Sequence, residues 1–232
     1  MHSARIAELL APFLGTPPAN DQRLAINDAL SRDISTYIDM LLRWNARINL
    51  TAIRDPEEIV TRHFGESLFA ARVLFPDVYP VPSVSSVVKD FDSDLVADVG
   101  SGAGFPGIPF KLWNPSINLT LIESNQKKAA FLREVARSLT LTDINVFNGR
   151  AEDLPRAHAR FDVVTLRAVE RFEDALRISA ALLIPGGRLA LLIGSSQQNA
   201  AASVLPSFSW NPPRPIPLSQ SRILLVGTSP EP

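Results

Sequence analysis

One stretch constrains the fold of this chain more than any other: Asp98-Val99-Gly100-Ser101-Gly102-Ala103-Gly104-Phe105-Pro106-Gly107. Its first residues close the short apolar run Leu95-Val96-Ala97-Asp98-Val99, which reads as a strand ending in the glycines. Glycines directly after a strand let the backbone turn tightly and let a ligand approach it closely. A helix is expected from about Pro106, so its first amides face the same place. A second strand is expected over Asn118–Ile122, and it ends at Glu123, nineteen residues after Gly104. An ionised carboxylate only accepts hydrogen bonds, so Glu123 suits the hydroxyls of a ribose. A plain tight turn needs one glycine. Four at this spacing, with an acid ending the next strand, point to a ligand-binding loop.

The rest of the chain fits around that loop. Further strands are expected at Ile144–Phe147, Phe161–Leu166 and Arg188–Ile193, the last preceded by a turn at Gly186-Gly187. A helix is expected over 126–139, with Phe131, Leu132, Val135 and Leu139 inward. Strands alternating with helices predict a mostly parallel sheet with helices on both faces. The proline-rich tail ends in Ile223-Leu224-Leu225-Val226-Gly227 and reads as a strand pair at or near a sheet edge. Upstream, residues 21–75 read as helical. Ile34, Ile38, Leu41 and Ile48 fall on one face, at separations of four, three and seven. Asp55-Pro56-Glu57-Glu58 starts a second helix, with Asp55 as N-cap. The organisation is therefore a helical N-terminal extension (1–75), a Pro/Ser-rich spacer (76–94) and a ligand-binding α/β domain (95–232).

Composition narrows the chemistry. The 232 residues include no cysteine, which excludes disulfides, thiolate metal sites and a cysteine nucleophile. With only three histidines, no metal site is expected. The start carries no secretory signal pattern, and no apolar run approaches the roughly 18 residues of a membrane span, so a cytoplasmic protein is expected.

Gly102-x-Gly104-x-x-Gly107 also satisfies the dinucleotide fingerprint. Asp98 argues against NAD, whose pyrophosphate a carboxylate at the strand end would repel. It suits S-adenosylmethionine, which carries an ammonium and a sulfonium. Gly149-Arg150-Ala151-Glu152-Asp153 follows the third strand, where an adenine would lie. Arg167 ends the fourth strand, on the edge where open α/β sheets bind ligands.

With these pieces in view, the chain resembles the bacterial small-subunit ribosomal RNA guanine-N7 methyltransferases, also called glucose-inhibited division protein B (RsmG/GidB). The residues that carry the likeness are Arg43-Trp44-Asn45-Ala46-Arg47-Ile48-Asn49-Leu50-Thr51-Ala52-Ile53-Arg54-Asp55-Pro56, then Arg62-His63, the glycine loop, Glu123-Ser124, Gly149 to Glu152 and Leu166-Arg167-Ala168. The Trp-Asn to Asp-Pro block is the more specific part, since generic methyltransferases lack it. The resemblance implies a Rossmann-like class I methyltransferase sheet of seven strands with a helical extension. It implies S-adenosylmethionine as cofactor and 16S rRNA, free or in a ribosomal particle, as partner. Carried over by position, cofactor contacts fall on Gly100, Phe105, Ala151, Glu152 and Arg167. The loop reading adds Asp98, Gly102, Gly104 and Glu123. Three departures stand out: Gly65-Glu66-Ser67 where the family has Leu-Asp-Ser, Ile193 where it has lysine, and a spacer, 76–94, longer than the family norm.

Guanine N7 already carries an in-plane lone pair, so methylation there needs placement and electrostatic support, not a general base. No single catalytic residue is named. Arg167, Asn49, Arg54 and His63 are positioning candidates. Arg167 either closes an ion pair with an acid such as Glu170 or holds cofactor or base. His63 is either a half-buried helix residue or, with Arg62, a phosphate contact. Net charge is −1, so RNA must be held by a limited cationic face, Arg43 to Arg62 and Lys127 to Arg137, with a salt-sensitive grip. A monomer is expected. The alternatives are a methyltransferase on another substrate, a non-catalytic cofactor-binding module on the ribosome, and an NAD-dependent oxidoreductase.

Overall fold

The N-terminal part folds as helices because its apolar residues recur at helical spacing. The computed structural model describes residues 1–15, 27–76, 93–155, 160–167 and 171–232. Most of the expected spacer, and Ala168 and Glu170, lie outside the described residues. Helix α1 (Ser3–Leu14) buries Ile6, Leu10, Phe13 and Leu14. Helix α2 (Asp28–Asn45) buries Ile34, Tyr37, Ile38 and Leu41, and ends before Ile48. Helix α3 (Pro56–Ile59) starts as expected, the Asp55 side chain accepting from the Glu58 amide. It runs through a wider π-helical turn, Val60–Gly65, into α4 (Glu66–Leu74). Such turns recur at functional sites, and this one carries Arg62 and His63.

The glycine at position 65 has a packing reason. A Cβ built there would meet the Phe13 ring at 2.5 Å, so α1 occupies the space a larger side chain would need. Gly65→Leu is expected to cost about 1–3 kcal/mol by overpacking. That lowers the thermal midpoint by roughly 3–10 °C, and Phe13→Ala in the same chain should restore part of it. An unchanged midpoint in Gly65→Leu would refute this packing.

The second part alternates as predicted. Strand β1 (Leu95–Val99) leads through the glycine loop to α5 (Gly107–Trp113). Then come β2 (Asn118–Ile122), α6 (Gln126–Ser138), β3 (Ile144–Phe147), β4 (Phe161–Arg167), α7 (Phe172–Ala180) and β5 (Leu183–Gly194). Helix α8 (Gln198–Val204) precedes β6 (Ser209–Trp210), β7 (Arg214–Pro215) and β8 (Arg222–Thr228). Gly186-Gly187 lies inside β5, where the pairing with β4 shifts register, not before it.

The strand order is β3-β2-β1-β4-β5-β8-β6, with β7 also on β8. The first five strands are parallel and β8 is antiparallel to β5. Among the described residues the sheet thus has eight strands where seven were expected. β6 pairs with Gly227 and Thr228, and β7 with Ile223 and Leu224, so the two lie end to end as one interrupted edge strand. Pro212 and Pro213 make the interruption, since proline cannot donate to a ladder.

Side chains alternate across the sheet. Val96, Leu121, Val163, Leu192 and Leu224 pack under the N-terminal helices and against Phe110 and Phe131. Ala97, Val164, Leu166, Leu191 and Ile193 face Leu176 and Ala201 on the other side. The helical extension is therefore a layer over one face. The carboxyl ends of β1, β2 and β4 lie level, Val99 pairing with Ile122 and Leu166.

Candidate functional site

The glycine loop turns at those strand ends. Gly100, Gly102 and Gly104 have φ of 71°, 56° and 85°, a region that costs any side chain strain. The amides of Gly100 and Ser101 donate to the Ile122 carbonyl. Glu123 clamps the loop from β2, its Oε2 accepting from the Gly102 amide at 2.8 Å and its Oε1 from the Asn125 amide at 2.7 Å. A carboxylate offers about four lone-pair sites, so accepting capacity remains toward the cavities it lines.

Asp98 lies beneath the loop, 1% exposed, its Oδ2 accepting from the Gly107 amide at 3.2 Å. Burial pushes its carboxyl up to about 7. Gly104 is also beneath: a Cβ there would meet the Tyr37 hydroxyl and, at 2.7 Å, Ile108 Cδ1. The Tyr37 hydroxyl donates to the Ala103 carbonyl, so α2 holds the loop from below. Asp98 and Gly104 thus shape the loop without lining either cavity.

Two cavities open above. One, of about 370 Å³, is lined by Gly100, Glu123, Gly149, Ala151, Glu152 and Ile178. The other, of about 440 Å³, is lined by Thr51, His63, Gly102, Phe105 and Arg167 among others. They share Gly100, Glu123 and Lys128. Seven of the nine expected cofactor residues (Gly100, Gly102, Phe105, Glu123, Ala151, Glu152 and Arg167) therefore line one or both of two adjacent cavities.

The positioning candidates divide. Arg167 and His63 line the second cavity. Asn49 and Arg54 are exposed and line neither; Thr51, Ala52 and Ile53 between them do. The reason is Asn45. Its buried side chain accepts from the amides of Leu50 and Thr51 and donates to the Thr51 carbonyl, which fixes the turn so that 51–53 face inward. Thr51 Oγ1 lies 2.8 Å from His63 Nε2, and the His63 ring stacks on Phe105 at 4.7 Å. Burial, then the guanidinium groups of Arg167, Arg62 and Arg222, push the His63 pKa down to about 3. It is neutral at physiological pH, so it offers a phosphate no charge.

The described ion-pair partner of Arg167 is Glu66 in the N-terminal extension, at 3.2 Å. Arg222 reaches the same carboxylate at 2.5 Å. Sequence reasoning gave Glu66, Arg222 and Tyr37 no site role. Tyr37 sat on the apolar face of a helix and carried no other signal. Ile193 is 5% exposed among the residues under α7 and α8, on the sheet face away from Glu66. Of the residues expected in a cationic face, Arg43, Arg47, Lys127, Arg133 and Arg137 are exposed, and Trp44 packs on Phe131 to join the two helices.

The family described as rRNA small subunit methyltransferase G (GidB) matches residues 30–205. A protein named ribosomal RNA small subunit methyltransferase G from Stenotrophomonas maltophilia is 39% identical over 172 residues, covering 74% of this chain and 72% of that one. A protein of the same name from Streptococcus agalactiae is 34% identical over 183 residues, covering 78% and 72%. The solved structure of a candidate O-methyltransferase from Klebsiella pneumoniae shares the fold, with a TM-score of 0.58 at 12% identity over 84% of this chain and 90% of that one.

Proposed function

The chain belongs to the rRNA small subunit methyltransferase G family, and on that premise we propose that it transfers the methyl group of S-adenosylmethionine to N7 of a guanine in small-subunit rRNA. The observation that carries this reading is the pair of adjacent cavities that share Gly100, Glu123 and Lys128; in this reading one takes the nucleoside and the other the methyl acceptor. The residues present fit the cofactor. The glycines leave a cradle without side chains, and the buried Nη1 of Arg167 has no hydrogen-bond partner among the described residues.

Glu123 would take the ribose hydroxyls, Ala151 and Glu152 the adenine side, and Gly100, Gly102 and Arg167 the methionine end. S-adenosylmethionine, when bound, supplies an electrophilic methyl on a sulfonium. The guanine would enter beside Thr51, Ile53 and Phe105. His63, held neutral, is too weak an acid to protonate N7. No general base is required, and catalysis is placement plus electrostatic support. A monomer working in the cytoplasm completes the reading.

Mass mapping of rRNA from a strain lacking the protein tests the substrate: one N7-methylated guanine should disappear. If none does while S-adenosylmethionine still binds, the protein methylates something else or only binds the cofactor. Tighter binding of NAD would sink the cofactor assignment.

Cofactor affinity should also depend on pH through Asp98. A cation bound above it favours the carboxylate and lowers a pKa that burial has pushed up to about 7. Binding then releases a proton, so affinity rises from pH 5.5 to about 7 and levels off above. Calorimetry should show this slope, and Asp98→Asn should flatten it. The same raised pKa costs the cofactor-free fold stability as pH rises from about 4 to about 7. A slope unchanged in Asp98→Asn would show that another group titrates.

A further inference from the structure

We propose that Arg222 is a positioning residue for Arg167, acting through the Glu66 carboxylate that both arginines grip. This rests on the placement of Arg167 at the methyl-transfer cavity proposed above. Glu66 opens α4, and its side chain is 2% exposed. Arg222 Nη2 holds Glu66 Oε1 at 2.5 Å, and Arg167 Nη2 holds Oε2 at 3.2 Å. Arg167 Nη2 also donates to the Arg62 carbonyl at 2.6 Å. Both hydrogens of that nitrogen are therefore used. A guanidinium is a rigid planar fork, so fixing Nη2 fixes the direction of Nη1. Nη1 is buried and has no hydrogen-bond partner among the described residues, on a residue that lines the second cavity.

The sheet makes the relay possible. Arg167 pairs with Leu192 in β5, and Arg222 pairs with Gly194 in the same strand, so β4 and β8 flank β5. Strands two apart are separated by about 10 Å. That span suits one carboxylate lowered from the helix layer between two guanidinium groups. Glu66 forms its ion pair with Arg167 only while ionised; neutral, it offers a weaker acceptor alone. Burial favours its neutral form; Arg167, Arg222 and Arg62 oppose that. Arg222 makes the shortest contact of the three. Without it, the carboxylate loses one of the three guanidinium groups that favour its charge, and Arg167 keeps only the Arg62 carbonyl as a firm anchor. The other charged groups around the relay are Glu58, which pairs with Arg62, and Asp98, which interacts with Arg167; His63 is neutral. Arg222 lies beyond the residues that match the family, so neither the family pattern nor the strand periodicity marked it.

The test is a double-mutant cycle on the full chain, read as methyl transfer to unmethylated small-subunit rRNA. Arg222→Gln should lower kcat about tenfold or more, as expected when a catalytic contact is misplaced, with KM for RNA little changed. Its rate should fall on the acid side at a higher pH than in the unaltered protein, because Glu66 protonates more easily. Arg222→Lys should recover most of the rate. In an Arg167→Ala background, Arg222→Gln should add less than about a twofold loss. Wild-type rates in Arg222→Gln would overturn the relay. So would an equal fold-loss with and without Arg167, which would mean an independent structural or RNA contact. Full activity in Arg167→Ala would instead overturn the role of Arg167 itself, and the relay with it. Should Arg222→Gln fail to fold, Glu66→Gln decides the same cycle, since it keeps the acceptor oxygen and loses the charge.

Discussion

Gly100→Asp is expected to give a folded protein whose affinity for S-adenosylmethionine is at least about 100-fold lower, roughly 2.7 kcal/mol. Gly100 lines both cavities at their junction, so any side chain there enters the space the ligand needs. Its φ of 71° strains most residues. Aspartate is among the few that enter the left-handed region with modest cost, so the turn survives. The Gly100 amide still donates to the Ile122 carbonyl at 2.9 Å. Calorimetry with S-adenosylmethionine measures the loss, and circular dichroism checks the fold. Unchanged affinity in a folded variant would refute the assignment of the loop.

Glu66→Leu is expected to destabilise the protein by about 3 kcal/mol or more, because removing one member of a buried ionic cluster leaves uncompensated charge. Glu66 is the carboxylate within ion-pair distance of Arg62, Arg167 and Arg222. The Arg167 side chain is 13% exposed and has no easy route to water. For a chain of this size the thermal midpoint should drop by roughly 6–12 °C. Replacing Glu66 and Arg222 together with apolar residues should recover part of the loss. If Glu66→Leu melts within a degree of the unaltered protein, the cluster is not holding the extension to the sheet.

Much of the fold was legible because it is written in local pattern. The strands at 95–99, 118–122 and 144–147 and the helix at 126–138 come from short apolar runs and helical spacing, and they form within a residue of where the pattern puts them. The Asp55 cap works as its chemistry dictates. The candidate site was legible where one segment supplies it, as in Gly100 to Phe105, Glu123 and Ala151-Glu152. It was misjudged where the answer depended on which way a turn faces. Asn49 and Arg54 looked suited to polar work, yet the Asn45 side chain turns Thr51 to Ile53 inward instead. Helix α1 gave little warning: its place is set by Phe13 filling the space at Gly65, a contact between residues 52 positions apart.

The sequence by itself determined the class of fold, the glycine loop and the family, because each rests on neighbours in the chain: glycines at fixed spacing, apolar residues at the period of a strand or helix, an acid at a strand end. Tertiary structure alone decided the state and setting of the charged groups. Asp98 titrates near 7 because it is sealed under the loop, and His63 is neutral because it is buried beside three guanidinium groups. Arg167 meets Glu66 and, through it, Arg222, residues from a helix 101 positions upstream and a strand near the end of the chain. Electrostatic energies depend on distance and desolvation in three dimensions, and neither is encoded in local spacing.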